Sequence, residues 1–344
     1  MSASCRLSGS RAGKKIEQGN WLGMDILFDY IAQWDKDWAD RFPKRVTRKD
    51  KERFLDQLEQ ELQARSFETT RPAVRYLLQS RLLLTTCENP KVIFTAHYDT
   101  PTIMPLWVSV FMTLLGHTRQ ILGSFLFMLI IYVPIFLISI FAPENTAISA
   151  VVSAVLLLFL LSMLTMLIPN PHNREDNTSG VIGLMALAEW LKDKPELRQQ
   201  VQLIFFDNEE LGLLGSSGLK RQWDKKKYPY REAAVINLDC ISRGRIPLLV
   251  HHGNDHVANQ LMPYLTKHLP QTINFHLRFL PLSDNFTFRK IGAVDISYAE
   301  PAIFPRSYYI PRVHRPNDND FSAERAALLI HALTEYLEAK IGGM

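Results

Sequence analysis

The sequence predicts an α/β protein: a mixed, largely parallel sheet flanked by helices and interrupted by an inserted two-helix transmembrane hairpin. Three observations lead there. From residue 181 onward, apolar runs of strand length alternate with helical patterns, the order that builds parallel sheets. Two stretches, 121–141 and 147–168, contain no charged residue, and each can cross a hydrocarbon core roughly 30 Å thick. The rest of the 344-residue chain, which is 47% hydrophobic and 22% charged overall, has the polarity and length of an enzyme-sized domain.

Composition excludes several classes. The net charge is +4, spread over 39 basic and 35 acidic residues, so no concentrated patch for nucleic acid is expected. Cys5, Cys87 and Cys240 are odd in number and widely spaced, which fits a reducing compartment and no disulfide framework. The basic residues near the N-terminus are not followed by an apolar run of signal-peptide length.

Residues 1–23, rich in Ser, Gly and Lys, read as a disordered tail. Residues 24–42 carry Ile26, Leu27, Tyr30, Ile31, Trp34 and Trp38 at helical spacing. That helix either docks on the domain or lies on a membrane surface through its tryptophans. A charged helix is expected at 48–63, then β-rich runs at 73–85 and 91–96 with a turn at Asn89 and Pro90. Beyond the hairpin the order is helix 181–192, strand 201–206, a helix after Leu211, strand 233–238, helix 254–268, strands 273–280 and 294–298, and a closing helix 322–341. No internal repeat is visible.

The link 142–146 holds Pro143 and Glu144 but no Lys or Arg, so the two spans, 121–141 and 147–168, form a hairpin with both ends on one side. Arg119 and Arg174 flank that side, and the positive-inside bias then places the main domain and both termini in the cytoplasm. The apolar segment 104–116 is too short for a comfortable span and belongs in the interface, as a re-entrant piece or as a lid.

Five short segments, each at or near a strand end or helix start, carry the side chains that bind divalent metal. They are Thr95-Ala96-His97-Tyr98-Asp99, Asp176-Asn177-Thr178-Ser179-Gly180, Asp207-Asn208-Glu209-Glu210, Asn237-Leu238-Asp239 and Val313-His314-Arg315. Strand carboxyl ends converge on one crevice in open α/β sheets, so residues distant in sequence can meet there. Alone, each has an ordinary explanation as a cap or core residue. Together they supply two imidazoles and three carboxylates for metal, with two more carboxylates beside them, the set a two-zinc hydrolase needs.

These segments, in this order, resemble the zinc aminopeptidase family that includes aminopeptidase Y, the leucyl aminopeptidases of Vibrio and Streptomyces, and glutamate carboxypeptidase II, peptidase family M28. The resemblance runs from about Ala73 to the C-terminus, leaving out 104–168. It implies a zinc exopeptidase fold of the phosphorylase/hydrolase-like kind, with 24–103 and 169–344 forming the peptidase domain and 104–168 an inserted membrane segment. It implies two zinc ions: His97 and Asp239 on one, Glu210 and His314 on the other, and Asp176 bridging both. Glu209 then matches the general base and Asp99 the carboxylate that orients His97. Two zinc ions sharing a water can lower its pKa and polarise a scissile carbonyl, while Glu209 carries the proton to the leaving amine.

Some positions depart from the commonest pattern. Asn208 and Cys240 stand where other small or apolar residues are usual, and Ser283-Asp284-Asn285 stands where Ser-Asp-His is frequent. Cys240 reads as a buried small residue and not a thiolate ligand. Tyr308 and Tyr309 are candidates for the oxyanion, and Asp318 and Asp320 read as turn and cap residues. The expected activity is removal of N-terminal residues from peptides by a membrane-anchored enzyme whose mouth the hairpin holds near the bilayer. Its partners are then peptide substrate and membrane lipid; oligomeric state is not legible. Carboxypeptidase, aminoacylase or glutaminyl cyclase chemistry, or a noncatalytic scaffold, are the alternatives on the same fold.

Overall fold

The computed structural model describes residues 21–141, 146–277 and 283–342. Most of the expected N-terminal tail, most of the 142–146 link, the end of the strand expected at 273–280, and Cys5 lie outside them.

Two helices lead, α1 (Trp21–Arg41) and α2 (Arg48–Ala64). In α1, Leu27, Ile31, Trp34 and Trp38 recur at steps of three and four and are all buried in the main core. Trp34 and Trp38 stack on each other, and Trp38 meets the edge of Phe54 in α2. The tryptophans therefore dock this helix on the domain and do not lay it on a membrane. Thr47 caps α2, its hydroxyl accepting the Asp50 N–H at 3.3 Å.

Short strands follow: β1 (Thr69–Thr70), β2 (Ala73–Arg75), β3 (Gln79–Arg81) and β4 (Leu83–Thr85). The β-rich run at 73–85 is thus divided. β2 and β3 pair only with each other, and β4 turns into the main sheet. The remaining strands are β5 (Val92–His97), β6 (Val201–Phe206), β7 (Ala234–Leu238), β8 (Ile246–His251), β9 (Ile273–His276), β10 (Val294–Pro301) and β11 (Tyr308–Tyr309). Helices α3 (Leu106–Leu115), α4 (His117–Phe141) and α5 (Thr146–Leu164) fill the interval after β5. Then come α6 (Gly180–Leu191), α7 (Pro195–Arg198), α8 (Leu214–Lys226), α9 (His256–His268) and α10 (Ala323–Ile341).

The sheet runs β1-β4-β6-β5-β7-β10-β8-β9, with β11 added on β10. Its centre, β6-β5-β7-β10, is parallel throughout; β4 and β8 join antiparallel on either side. Helices cover both faces, so the central strands are buried on both and read as continuous apolar runs. Along β5, Val92, Phe94 and Ala96 enter the larger core shared with α1, α6 and α10. Ile93 points the other way, to Leu219 and Trp223 of α8.

The inserted segment leaves and returns through a narrow neck. Thr102 bridges Pro169, and the Ile103 N–H donates to the Ile168 carbonyl at 2.9 Å. Among the described residues, one helical stretch, Ser149–Leu167, is long and apolar enough to cross a membrane; Leu122–Ile138, within α4, is apolar but shorter. Gly116 alone separates α3 from α4, at φ 77°, and a Cβ there would meet Ser307 Cβ at 2.7 Å.

The docking of α1 is open to test. Trp38→Ala should lower unfolding free energy by about 3–5 kcal/mol, and Phe28→Ala, on the exposed side, by under about 0.5 kcal/mol. Equal and negligible effects in chemical denaturation would mean that the tryptophan face is not packed.

Candidate metal centre

Because β6, β5 and β7 are parallel neighbours, their carboxyl ends open on one edge of the sheet. His97 is the last residue of β5, Asp239 follows β7 directly, and Glu209 and Glu210 follow β6 by three and four residues. Asp176 arrives on the segment that leads into α6, and His314 on the segment after β11. Gly180 lets α6 start there: a Cβ would stand 2.2 Å from the Leu238 carbonyl oxygen.

The donors form two groups around one carboxylate. His97 Nε2 lies 3.4 Å from Asp176 Oδ1, 3.8 Å from Asp239 Oδ1 and 3.9 Å from Glu209 Oε2. His314 Nε2 lies 3.1 Å from Asp176 Oδ2 and 3.2 Å from Glu210 Oε2. Asp176 thus turns a different oxygen to each imidazole. The other ring nitrogen of His97 is 3.2 Å from the Asp99 carbonyl oxygen and 3.5 Å from Asp99 Oδ1. A proton on Nδ1 satisfies that contact and leaves Nε2 as the free lone pair.

The Asp99 carboxylate does more than face the ring. Its two oxygens accept the backbone N–H groups of Glu209 and Glu210 at 3.2 and 3.3 Å, so one side chain aligns the β5 end with the β6 end. Asn208, just before the glutamates, has φ 58°, a left-handed conformation that Asn tolerates better than most residues. Cys240 and His314 have φ 59° and 57°.

These donors fit divalent metal on their own chemistry. His97 Nε2 and Glu210 Oε1 are buried and have no hydrogen-bond partner. Such orphaned groups are costly unless something unseen satisfies them. Ligand atoms of His97, Asp176 and Glu210 lie within 4.8 Å of one another, as do those of Asp176, Asp239 and Cys240. Two donors at about 2.0–2.2 Å from one zinc ion would sit about 3.4 Å apart in tetrahedral geometry. Burial, together with crowding by neighbouring carboxylates, pushes the affinity of Glu209 and Glu210 for protons well above the usual range, against the pull of His97.

Several supporting residues carry no readable signal in the sequence. Arg45 is fully buried: its Nε donates to the Tyr98 carbonyl, its Nη2 to Thr178 Oγ1 at 2.9 Å, and its backbone N–H to Thr100 Oγ1 at 3.0 Å. It ties the segment after His97 to the one after Asp176, and burial lowers its own pKa to about 10. Glu175 accepts the backbone N–H groups of Ser242 and Arg243 at 2.9 and 2.7 Å, and burial raises its pKa to about 7. Asp318 is also fully buried and accepts the Asp176 N–H at 3.2 Å, a loop-holding role close to the turn residue expected. Asp320 is exposed and pairs with Arg243 and Arg312, both at 2.8 Å.

Cys240 packs with Met112 and Val313, as a buried small residue does, and burial raises its thiol pKa well above the ordinary value. Tyr308 meets Phe275 edge-on at 5.5 Å, and Tyr309 packs in the cluster of Met112, Cys240 and Val313 beneath α3. Asp284 is buried with both oxygens unpartnered, and burial lifts its pKa to about 7.

Residues 174–334 match Peptidase family M28. The resemblance read from the motifs stands. No curated protein sequence matches the chain. Among solved structures, the Legionella pneumophila LapA aminopeptidase is similar at a TM-score of 0.59 and 14% identity, over 99% of this chain and 80% of that one. A Zn-dependent exopeptidase from Parabacteroides distasonis gives 0.58 and 15%, over 92% and 97%. A Porphyromonas gingivalis glutaminyl cyclase gives 0.59 and 14%, over 92% and 98%. At such identities these likenesses establish the fold alone, a mixed, largely parallel sheet flanked by helices as in the Zn-dependent exopeptidase.

Arg45→Met removes three side-chain hydrogen bonds and leaves the Tyr98 carbonyl and Thr178 hydroxyl to find other partners. The expected loss of stability is about 2–4 kcal/mol in chemical denaturation. An unchanged midpoint would show that the guanidinium does not join the two loops.

Proposed function

We propose that the protein is a membrane-anchored two-zinc aminopeptidase that removes N-terminal residues from peptides. The observation that carries this reading is Asp176, which presents one oxygen to the His97–Asp239 group and the other to the His314–Glu210 group. His97, Asp239 and Asp176 would hold one ion, and His314, Glu210 and Asp176 the second. Zinc bound there supplies Lewis acidity that makes water a nucleophile near neutral pH and polarises the scissile carbonyl.

The chain's own residues do the rest. Glu209 lies nearest the His97 group, while its neighbour Glu210 faces His314. Its carboxylate takes the proton of the attacking water as the new C–O bond forms. It returns that proton to the departing amine nitrogen as the C–N bond breaks. Asp99, through its two backbone contacts, fixes where Glu209 and Glu210 stand and acts as a positioning residue. No covalent intermediate with the enzyme is required.

The glutaminyl cyclase likeness keeps acyl transfer as the second reading, since it equals the aminopeptidase likeness in TM-score. Two complete imidazole–carboxylate groups favour the peptidase, because a one-zinc cyclase needs only one. In the membrane reading, α4 and α5 span the bilayer as an inserted segment, 104–168. The catalytic domain and both termini are then cytoplasmic, with Arg119 and Arg174 on the inner side.

The decisive experiment measures release of N-terminal residues from unblocked and N-acetylated peptides by detergent-purified protein, before and after chelation and zinc return. Cleavage of unblocked peptides alone, loss on chelation, and a fall in kcat of about 10²–10⁴ in Glu209→Gln are expected. Cyclisation of N-terminal glutamine without release of residues would favour the cyclase; no turnover and no bound zinc would leave a scaffold. A reporter placed in the 142–146 link should report the extracytoplasmic side, and a cytoplasmic signal would overturn the orientation.

A further inference from the structure

Helix α3 has three faces. Ser109 and Met112 are its buried residues, and Met112 and Val108 pack with Val313 and Cys240, the neighbours of His314 and Asp239. Trp107 and Phe111 face the hairpin: Trp107 meets Phe127 at 5.6 Å and Phe159 at 6.0 Å, and Phe111 meets Phe127 at 5.4 Å. The third face consists of Leu106, Val110 and Leu114, one stripe at four-residue steps, 65%, 47% and 37% exposed. None of the three belongs to a hydrophobic core cluster among the described residues.

That stripe continues onto a second element. The turn between β10 and β11 is bonded to the end of α3: Ile303 N–H donates to the Thr113 carbonyl at 3.1 Å and Phe304 N–H to the Leu114 carbonyl at 2.7 Å. Ile303 is 73% exposed and Phe304 43%. At the rim, the Arg119 guanidinium lies over the Phe304 ring at 4.0 Å and donates to Ser307 Oγ at 2.8 Å. Exposed contiguous apolar surface of this kind marks an interaction site, and a basic residue at its edge suits anionic headgroups.

Resting on the membrane reading above, we propose that α3 and the Ile303–Phe304 turn form a lipid-docked face, so that the metal donors sit one helix away from the bilayer. The occupant is phospholipid because the face is continuous with the hairpin. Phe127 lies within the apolar stretch Leu122–Ile138 and Phe159 within Ser149–Leu167. At 1.5 Å per residue those rings are about 8–12 Å inside the ends of the two stretches. Trp107, which touches both, therefore reaches acyl-chain depth, and the Leu106 end of the stripe with it. The Leu114 end, Phe304 and Arg119 fall at the headgroup boundary. Met104, at the start of this segment, donates its N–H to the His314 carbonyl at 3.0 Å, so the lipid face and the site share a backbone contact. Substrates of such a site are peptides held at, or delivered along, a bilayer surface.

The test uses full-length protein with Cys5→Ser, in nanodiscs of phosphatidylcholine and phosphatidylglycerol whose acyl chains carry a nitroxide quencher. One introduced cysteine at a time, at Val110, Ile303, Leu157 in α5 or Lys225 in α8, is labelled with an environment-sensitive fluorophore; the buried Cys87 and Cys240 are retained, and the parent without an introduced cysteine gives the background labelling. The expected result is blue-shifted emission and loss to the quencher at Val110, Ile303 and Leu157, with Lys225 unaffected. Quenching at Leu157 but not at Val110 and Ile303 would overturn the docked face and leave the hairpin reading intact. Absence of quenching at Leu157 would remove the membrane reading and this inference together. Blue-shifted labels at Val110 and Ile303 that the lipid quencher does not reach would mean a second copy of the chain covers the face, also overturning the proposal.

Discussion

Five carboxylates, Asp99, Asp176, Glu209, Glu210 and Asp239, converge on two imidazoles at the edge of a buried sheet, and this crowding of negative charge is the constraint on which the rest depends. Like charges in a poorly hydrated place cannot all remain ionised without compensation. Part of it is built in: Arg45, wholly buried, brings a guanidinium under Asp99 and Asp176, and backbone N–H groups meet Asp99, Glu175 and Asp318. The remainder falls on the imidazoles and, in the proposed centre, on the metal ions these donors would hold. The side chains that look wasteful as stabilising contacts, a buried arginine and the buried acids Glu175 and Asp318 that accept only main-chain or hydroxyl donors, are what keep the donors from relaxing apart.

The topology explains why an insertion can sit here without disturbing that arrangement. The loop after β5 already borders the site, and the neck at Thr102 and Pro169 closes the sheet side of the insert before α3 begins. Beyond that neck the insert is tied back to the domain through α3, whose end bonds the Ile303–Phe304 turn while its Trp107 packs on the hairpin. Because Met112 packs on Cys240 and Val313, a displacement of α3 would be felt one residue from Asp239 and one from His314. Whatever surrounds the hairpin is thus mechanically adjacent to the chemistry.

Much of this was legible in the sequence for a simple reason. A parallel strand that runs into polar residues at its carboxyl end advertises both the sheet and the site: His97 closes β5, Asp239 follows β7, and Glu209 and Glu210 lie shortly after β6; the central strands and the long helices are read from hydrophobic periodicity. What escaped is tertiary in origin. β8 begins Ile246-Pro247 and pairs antiparallel with β10, so no helix–strand alternation announces it. Arg45 lies in a polar linker, and Glu175 gains meaning only when it accepts the turn at Ser242 and Arg243, far along the chain. Asp99 was expected to face His97, and it does; its contacts to the Glu209 and Glu210 amides depend on strand order, which spacing does not encode.

The fold by itself does not separate one chemistry from another, since an aminopeptidase and a glutaminyl cyclase resemble this chain equally well. The proposed separation rests on the donor set. Three protein donors suffice for a single catalytic zinc ion, and either half of this site, with Asp176, offers one imidazole and two carboxylates. The second half is then without a purpose: the half-buried His314 with Glu210, or the buried His97 with Asp239, would be an extra imidazole–carboxylate pair of the kind that is often no more stable than an apolar packing. That both halves are present, each reached by a separate oxygen of Asp176, is the physical reason to prefer a shared two-ion centre over a single one.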